Sequence, residues 1–342
     1  MTDISLTTTS IRASQRGRAQ FVGLACLLAC AAIVPIFFGS YSVALVRDAL
    51  LFSLLAIALD FLWGKTGVLS FGHAAFFGAG AYGVAVVSTS LGAEPAIASW
   101  AGLVVGIGTA VLVSLVVGYF LIFGRVRGAY FTIVTLALAV ITDHIVVGWS
   151  KVTGGNAGLL GVLPLYFPGA EGPAPLSSTV HFYFVLAVVS GVALALWLQC
   201  RGRYGAVLRA IADNEMRAQA LGHNTSLHLL VVFVVSAAIA ALGGGLYAAT
   251  VGFVAPDIVG LMLSTQAIIW VAIGGRGTIV GPIVATVLVL WLEQHISSIN
   301  TKLWPLAIGA LFISCVFVFP NGILATTGDL LVRFRGRSRG KP

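Results

Sequence analysis

Residues 227–250 read LHLLVVFVVSAAIAALGGGLYAAT, and no Asp, Glu, Lys or Arg interrupts them. A membrane-spanning α-helix needs about 20 mainly apolar residues. A strand of an outer-membrane barrel is shorter and alternates apolar with polar positions, which this stretch does not do. The stretch therefore predicts a helix that crosses a lipid bilayer.

Nine further apolar runs follow the same pattern, and they fall near 19–38, 43–63, 68–90, 98–123, 129–148, 181–199, 258–274, 279–296 and 303–319. Hydrophobic residues make up 59% of the 342 residues and charged residues only 9%. A soluble protein carries about 25% charged residues, so most soluble folds and a disordered chain are excluded. We expect an all-α, polytopic helical membrane protein with about 8–10 transmembrane helices. The runs at 68–90, rich in glycine, and 258–274, which is short, could each be broken or re-entrant.

The basic residues predict the orientation of these helices. If the N-terminus is cytoplasmic and the chain crosses ten times, 16 of the 19 Lys and Arg residues fall in cytoplasmic segments. The positive-inside rule favours this arrangement, with both termini in the cytoplasm. The net charge of +8 is then a matter of topology and of contact with anionic membrane lipid, and we expect no nucleic-acid binding.

One transmembrane domain is expected to occupy residues 19–320. It would follow a cytoplasmic N-terminal tail at 1–18 and precede a basic cytoplasmic tail at 321–342. Within it, residues 149–180 are predicted to form an outer loop and residues 200–226 a cytoplasmic segment. The first apolar run resembles a signal peptide, but about twenty apolar residues are long for a signal core, and more runs follow. The predicted location is the cell inner membrane, crossed many times.

The sequence lacks the short motifs that mark common enzymatic chemistry. It has no GxxxxGK[ST] phosphate loop, no HExxH zinc motif and no GxSxG nucleophile elbow. The six histidines are scattered, and the four cysteines lie in or beside apolar runs without metal-ligand spacing. We therefore predict no catalytic residues, no metal site and no cofactor.

Asp60, Asp143 and Glu293 are acidic residues within the predicted spans, where a charge is costly to place. Asp60 lies near the inner end of its run, whereas Asp143 and Glu293 lie near the outer ends of theirs. Each could pair locally or reach the interface, or it could line a solute path. No row of acids marks a proton relay.

A glycine-rich cluster with one histidine stands out at residues 70–82. Several glycines in one span weaken a helix and allow it to bend, and transporters often place broken helices at the solute site. The alternative interpretation is close helix packing alone. The candidate residues of a solute pathway are Ser70, Gly72, His73, Phe76, Phe77, Gly78 and Tyr82.

The cytoplasmic segment contains a polar stretch from Arg201 to Gly222 with helical periodicity. Arg209, Asp213 and Arg217 follow at i, i+4 and i+8, a spacing that allows ion pairs along one helix face. Gly222 would end this short amphipathic helix as its C-terminal cap. The helix could lie on the membrane surface, or it could bind a cytosolic partner.

The chain resembles the LivM-type permeases of branched-chain amino-acid ABC importers, a family shared with urea permeases. The resemblance extends over about residues 45–322. It rests on the order and spacing of segments that are individually weak: Gly67-Val68-Leu69-Ser70-Phe71-Gly72-His73 with Gly80-Ala81-Tyr82, Arg127-Gly128-Ala129-Tyr130-Phe131, Thr153-Gly154-Gly155-Asn156, Arg209-Ala210-Ile211, Asn214-Glu215, Ala220-Leu221-Gly222, and Gly274-Gly275-Arg276-Gly277-Thr278 with Gly281-Pro282.

The resemblance implies a non-catalytic permease subunit that moves branched-chain or other small neutral amino acids inward. Its implied partners are a second, LivH-like permease, two cytosolic LivG/LivF-like ATPases, and a periplasmic or lipid-tethered solute-binding protein. The implied ATPase-coupling residues are Arg209, Asp213, Asn214, Glu215, Arg217, Ala218 and Gly222. The general importer loop Glu-Ala-Ala-x-x-x-Gly is only partly present, because only its last Ala and its Gly match.

Two other functions remain open at the level of sequence. A permease of the same family could carry urea or a short-chain amide, since the pore need not bind its solute tightly. A stand-alone secondary carrier would require inverted internal symmetry and an ion site. The sequence shows neither a clear duplication nor paired acids at mid-membrane.

Overall fold

The fold is described from a computed structural model, which covers residues 23, 25, 27, 29–90, 94–167, 174–299 and 304–318. The predicted tails at 1–18 and 321–342 lie outside these residues. Helix α1 lies at 29–37, and the later helices are α2 (Ser40–Thr66), α3 (His73–Ser90), α4 (Pro95–Phe123), α5 (Ala129–Gly148), α6 (Ser150–Thr153), α7 (Ser178–Arg201), α8 (Arg203–Asp213), α9 (Glu215–Ala220), α10 (Thr225–Val251), α11 (Leu261–Gly274), α12 (Val280–Ile299) and α13 (Trp304–Val318). Four two-residue strands form two antiparallel pairs: β1 (Leu159–Leu160) with β4 (Phe253–Val254), and β2 (Tyr166–Phe167) with β3 (Ala174–Pro175).

Six of the described helices, α2, α4, α5, α7, α10 and α12, are long and apolar enough to cross a membrane. A helix satisfies its backbone polar groups internally, which is the condition that hydrocarbon imposes. Large apolar side chains are exposed along α4 and α5, among them Val104, Leu112, Phe120, Ile133 and Ile141. Such surfaces suit acyl chains or a partner helix rather than water. The prediction of a polytopic helical membrane protein is confirmed.

The two runs that could be broken differ from one another. The glycine-rich α3 is one unbroken helix of 18 residues, and residues 68–72 lead into it without helical structure. The later run forms one short helix, α11, which has 14 residues, and a 3₁₀ turn at Pro256–Ile258 precedes it. At 1.5 Å per residue α11 is about 21 Å long, and the hydrocarbon core is about 30 Å thick.

Small residues allow α3 to pack closely against α4 and α10. A Cβ atom on Gly83 would collide with the backbone of Gly106 in α4, and one on Gly80 would collide with the carbonyl of Ala241 in α10. Gly102, four residues before Gly106, likewise approaches the backbone of α3. Spacing of this kind is typical of tightly packed membrane helices. The centre of the fold is therefore α3 and α10, with α2 and α4 packed around them.

Contacts between connecting segments divide the helix ends into two faces. On one, here called the α8–α9 face, the connections after α2, α4, α7 and α11 meet, for example through Arg127 and Glu215. On the other, the β1–β4 face, the connections after α5 and α10 pair as strands. There the Trp100 indole N–H also donates to the carbonyl of Tyr166 at 2.7 Å. Successive connections thus alternate between the faces, as the predicted order of crossings requires.

Candidate functional site

The predicted cytoplasmic segment at 200–226 folds as two short helices, not one. Helix α8 ends at Asp213, Asn214 is extended with φ −162° and ψ 103°, and α9 begins at Glu215. The predicted single helix with one charged face from Arg209 to Arg217 is therefore wrong. The Arg209 guanidinium instead donates to the carbonyl oxygen of Cys200 at 3.3 Å.

Both ends of α9 are capped by residue types that are common at helix ends, Asn at the N-terminus and Gly after the C-terminus. Asn214 Oδ1 accepts a hydrogen bond from the Arg217 N–H at 2.9 Å, as a helix N-cap does. Gly222 has a φ of +88°, and the His223 N–H donates to the Ala218 carbonyl at 3.2 Å. This is the long hydrogen bond of a Schellman motif, which favours glycine. The prediction that Gly222 caps the helix is confirmed.

An ion pair fixes α9 to the segment that precedes α5. Arg127 Nε and Nη2 each donate to a different oxygen of Glu215, both at 2.8 Å. Thr225, at the start of α10, donates to Glu215 Oε1 at 3.1 Å, and Arg127 Nη1 donates to the Ile122 carbonyl at 3.0 Å. The Arg127 hydrogen bonds lower the pKa of Glu215 from its ordinary value, although partial burial acts in the opposite direction. We call Arg127, Glu215 and Thr225 the α9 clamp.

The outer surface of α8 and α9 combines basic and apolar side chains. Met216 and Leu221 are 76% and 72% exposed, and they flank the exposed Arg217. Exposed apolar residues at a polar, non-lipid end of the protein are typical of a surface that binds another protein. Among the predicted coupling residues, Ala218 is buried, Glu215 is partly buried, and the others are exposed: Arg209, Asp213, Asn214, Arg217 and Gly222.

The predicted pathway residues at the start of α3 lie in the interior of the chain. His73 is 1% exposed, and its Nε2 lies 3.1 Å from Ser236 Oγ. The ring of Phe76 meets that of Phe233 edge-to-face at 5.5 Å, and Phe77 is fully buried. These are packing contacts within one subunit, so a role in a solute path stays a prediction for them.

The remaining predicted pathway residues have different environments. Ser70 Oγ accepts from the Gly72 N–H at 3.2 Å in the non-helical approach to α3, and Gly78 packs against Val259. Tyr82 lies further along α3 and is 7% exposed. Among the described residues its hydroxyl has no hydrogen-bond partner. Buried polar groups are normally paired, so an unpaired hydroxyl marks a place where another molecule could bind.

Asp60 is one acidic residue of the spans that pairs locally. It is fully buried, and its carboxylate accepts hydrogen bonds from the backbone N–H groups of Gly277 and Ile279, the second at 3.2 Å. Lys65 Nζ donates to the carbonyl of Gly277. A Cβ atom on Gly64 would collide with Gly277, so this contact also needs glycine. Asp60 therefore anchors the loop between α11 and α12 to α2.

The other two acids, Asp143 and Glu293, lie near the β1–β4 face. Together with Asp257 of the 3₁₀ turn, which the sequence analysis did not single out, they line a cleft of about 460 Å³. The cleft brings together residues from α5, α11, α12 and the 3₁₀ turn. Nothing in their spacing along the chain could have shown that these three carboxylates share one opening.

Sequence reasoning also gave no individual role to Arg127 or Lys65. Arg127 was visible only as the first residue of the Arg127-Gly128-Ala129-Tyr130-Phe131 segment, and Lys65 only as a topology signal. The N-cap role of Asn214, by contrast, could have been predicted from the sequence. Asn before a helical turn that contains Glu is a common N-cap pattern.

Comparison with known proteins decides the family. Residues 41–319 match the family described as "branched-chain amino acid transport system / permease component". The chain belongs to this permease family. The matched range contains α2, the α9 clamp, the Asp60 contact and the cleft lined by Asp143, Asp257 and Glu293, which is called the outer cleft below because the proposed orientation places it outside.

Individual relatives of this permease extend over most of its length. It is 26% identical to the high-affinity branched-chain amino acid transport system permease protein LivM of Salmonella typhimurium, over 93% of the chain and 78% of that protein. It is 25% identical to LivH of the same organism, over 80% of the chain and 91% of that protein. It is also 30% identical to the autoinducer 2 import system permease protein LsrC of Escherichia coli O157:H7, over 57% of the chain and 63% of that protein. No solved structure matches the permease.

Proposed function

We propose that the chain is the transmembrane permease subunit of an ABC importer for branched-chain or other small neutral amino acids. The family match and the LivM and LivH relatives support this function. The subunit itself would hydrolyse nothing, because separate ATPase subunits would supply the energy. The observation that carries the proposal is the α8–α9 segment, whose exposed basic and apolar side chains would form a docking surface between two spans.

The α8–α9 segment would be the coupling element that docks on a LivG- or LivF-like ATPase. Arg209 and Arg217 would supply exposed positive charge, and Met216 and Leu221 would supply the apolar contacts. The caps at Asn214 and Gly222 and the α9 clamp support a rigid element. A rigid element transmits a displacement, whereas a flexible one would absorb it.

The α8–α9 face would be cytoplasmic and the β1–β4 face would be external. Basic residues concentrate on the first face, among them Lys65, Arg125, Arg201 and Arg276, and the positive-inside rule then assigns it to the cytoplasm. A second, LivH-like permease would complete the pore, and a periplasmic or lipid-tethered binding protein would deliver the solute to the outer face. Residues 1–18 and 321–342 would be cytoplasmic tails.

Transport would follow from a rigid-body shift. When the ATPases close on ATP, they would push the α8–α9 segment, and the α9 clamp would pass the movement to α5 and α10, to which Arg127 and Thr225 lead. Packed helix interfaces respond to such a push by moving between discrete arrangements, not by continuous deformation. The pore would alternate between openings to the two sides.

Uptake into vesicles that contain the reconstituted complex tests this function. Leucine and urea are offered separately on the side of the binding protein, with and without ATP inside the vesicles. Uptake of leucine that depends on internal ATP supports the proposal. ATP-dependent uptake of urea alone would assign the urea or short-chain amide function, and uptake by this chain alone on an ion gradient would assign a secondary carrier.

Charge reversal in the coupling segment tests the docking surface separately. Arg209→Glu should lower ATP-dependent uptake and co-purification of the ATPases by at least about tenfold, because the reversed charge would face like charge on an acidic partner surface and be repelled. The matched control is Lys151→Glu, an exposed basic residue on the opposite face. If both variants transport equally well, α8 does not dock on the ATPase.

A further inference from the structure

The outer cleft is an open site with the size of a small-molecule pocket. It has a volume of about 460 Å³ and opens on the β1–β4 face. Ligand pockets typically measure about 300–1,000 Å³. Its polar lining consists of Asp143, Asp257, Glu293, Gln266 and the Tyr247 side chain.

The negative charge of this cleft is not balanced within the described residues. Neither a hydrogen bond nor an ion pair of that part of the chain engages the carboxylates of Asp143, Asp257 or Glu293. Asp48, which acts electrostatically on the cleft residue Tyr247, is itself paired with Arg47 at 3.0 Å. Carboxylates of one sign in a concave, low-dielectric opening raise the local concentration of cations.

The arrangement of the carboxylates does not suit a single metal ion. Within the described residues no group of three or more His, Cys, Asp or Glu side chains converges closely enough to bind a metal. An organic cation, by contrast, is large enough to contact carboxylates that do not converge on one point.

The other walls of the cleft are apolar. Phe52, Leu261, Met262 and Leu263 line it, and Met262 is 70% exposed. This combination matches a small molecule that has an ammonium group at one end and an aliphatic group at the other.

Tyr82 interacts electrostatically with Asp257 and Asp143 but does not itself line the cleft. Its hydroxyl is buried and has no hydrogen-bond partner among the described residues. The hydroxyl dipole therefore belongs to the polar surroundings of these carboxylates and not to the surface that a ligand would contact.

The dipole of helix α11 explains why two of the three acidic residues lie in the cleft, but it does not explain the third. Asp143 lies against Gly260, at the N-terminus of α11, and Asp257 precedes the same helix. Acidic residues near a helix N-terminus stabilise the helix dipole. Glu293 belongs to α12, far from the N-terminus of that helix, and needs another explanation.

We propose that the outer cleft receives the ammonium group of an aliphatic amino acid before it passes through the permease. The inference rests on the proposed function, which places the β1–β4 face outside, and it adds the chemical feature that the permease recognises. Glu293 and Asp257 bind the ammonium group, Gln266 adds a further polar contact, and the first turn of α11 with Phe52 covers the aliphatic side chain.

Ligand-detected NMR on the full chain in nanodiscs of neutral lipid tests the proposal without the ATPases. The probes are leucine, 3-methylbutylamine (which lacks the carboxylate), 4-methylpentanoate (which lacks the ammonium group) and urea. The double variant Asp257→Asn, Glu293→Gln keeps the shape of the cleft but removes two charges. The control variant is Glu94→Gln, because Glu94 is exposed and does not line the cleft.

The proposal predicts that leucine and 3-methylbutylamine bind to the unaltered chain and to Glu94→Gln. In the double variant both affinities should fall by about tenfold, the scale that the loss of two solvent-accessible ion contacts gives. Urea and 4-methylpentanoate should bind weakly to every variant. Circular dichroism and gel filtration confirm that the double variant is folded.

Three results would overturn the proposal. The first is equal binding of the amines to the double variant and to the unaltered chain. The second is equally strong binding of 4-methylpentanoate, which would make the contact purely apolar. The third is loss of amine binding when the second permease is added, because the cleft would then be a subunit interface. ATP-driven leucine uptake with no charge-dependent binding would refute this site alone, whereas binding without such uptake would refute the proposed function alone.

Discussion

Replacing Glu215 by Gln removes the charge from the ion pair that holds α9 against the segment before α5. The side chain of its partner, Arg127, is 29% exposed and that of Glu215 is 25% exposed. The two side chains share two hydrogen bonds of 2.8 Å. A hydrogen bond to a charged group contributes about 1.5–3 kcal/mol, whereas an ion pair at the surface contributes about 0–1 kcal/mol. Because the pair is partly exposed and Gln can still form one bond, we expect a loss of about 1–2 kcal/mol in the local stability of α9.

The acid sensitivity of α9 should change with the same substitution. The pKa of Glu215 is lower in the folded protein than its ordinary value of 4.5. The contribution of the clamp is therefore complete above that ordinary value, and it is lost as the pH falls through the lowered pKa. In Glu215→Gln this acid-dependent part of the stability should disappear.

Hydrogen exchange of the α9 amides, measured in nanodiscs at neutral pH and then at pH values lowered stepwise below 4.5, is the assay. Asp213→Asn is the control, because Asp213 is an exposed acid two residues before the start of α9. A double-mutant cycle with Arg127→Gln then isolates the coupling of the pair. If Glu215→Gln raises exchange of α9 no more than Asp213→Asn does, the ion pair does not hold the segment, and the account of a rigid coupling element is wrong.

Three further substitutions test other parts of the structure. Asp60→Asn should lower the free energy of unfolding by about 1–3 kcal/mol, because the amide group cannot accept hydrogen bonds from both Gly277 and Ile279; a melting temperature equal to that of the unaltered protein would contradict the anchoring role. Gly222→Ala should destabilise the end of α9 by about 1 kcal/mol, since φ there is positive, and unchanged hydrogen exchange in α9 would argue against the cap. Gly80→Ala should lower the free energy of unfolding by about 1–3 kcal/mol, because it forces α3 and α10 apart. Its control is Gly108→Ala, which should be neutral or stabilising because Gly108 has open space around it. Equal melting temperatures of the two variants would contradict the need for close packing.

The helices were predictable because hydrocarbon tolerates few other structures. The run at 227–250 matches α10 within two residues at each end. The sequence showed that the run at 258–274 is short but not where its helix begins, since the 3₁₀ turn before α11 depends on the contacts that Pro256–Ile258 makes in the folded chain. Periodicity alone likewise continued the helix through Asn214, because the side-chain cap that stops it competes locally with the helical pattern.

The site was predictable only where its residues are neighbours in the chain. The cap at Gly222 follows from residue type and position, and it was found. Two contacts join segments that are distant in sequence: the Arg127–Glu215 ion pair, and the hydrogen bonds of Asp60 to the loop after α11. They could be found only once the packing of α2, α5 and α10 was known. The same holds for the cleft, whose acids come from α5, α12 and a turn that lies between α10 and α11.

ATP-dependent uptake of leucine by the reconstituted complex is the most direct test of the function. Vesicles that contain this chain, a second permease, the ATPases and the binding protein should accumulate leucine only when ATP is present inside. Arg209→Glu should abolish most of that uptake, and Lys151→Glu should leave it unchanged. Leucine uptake that persists without ATP, or that follows a proton or sodium gradient through this chain alone, would contradict the account.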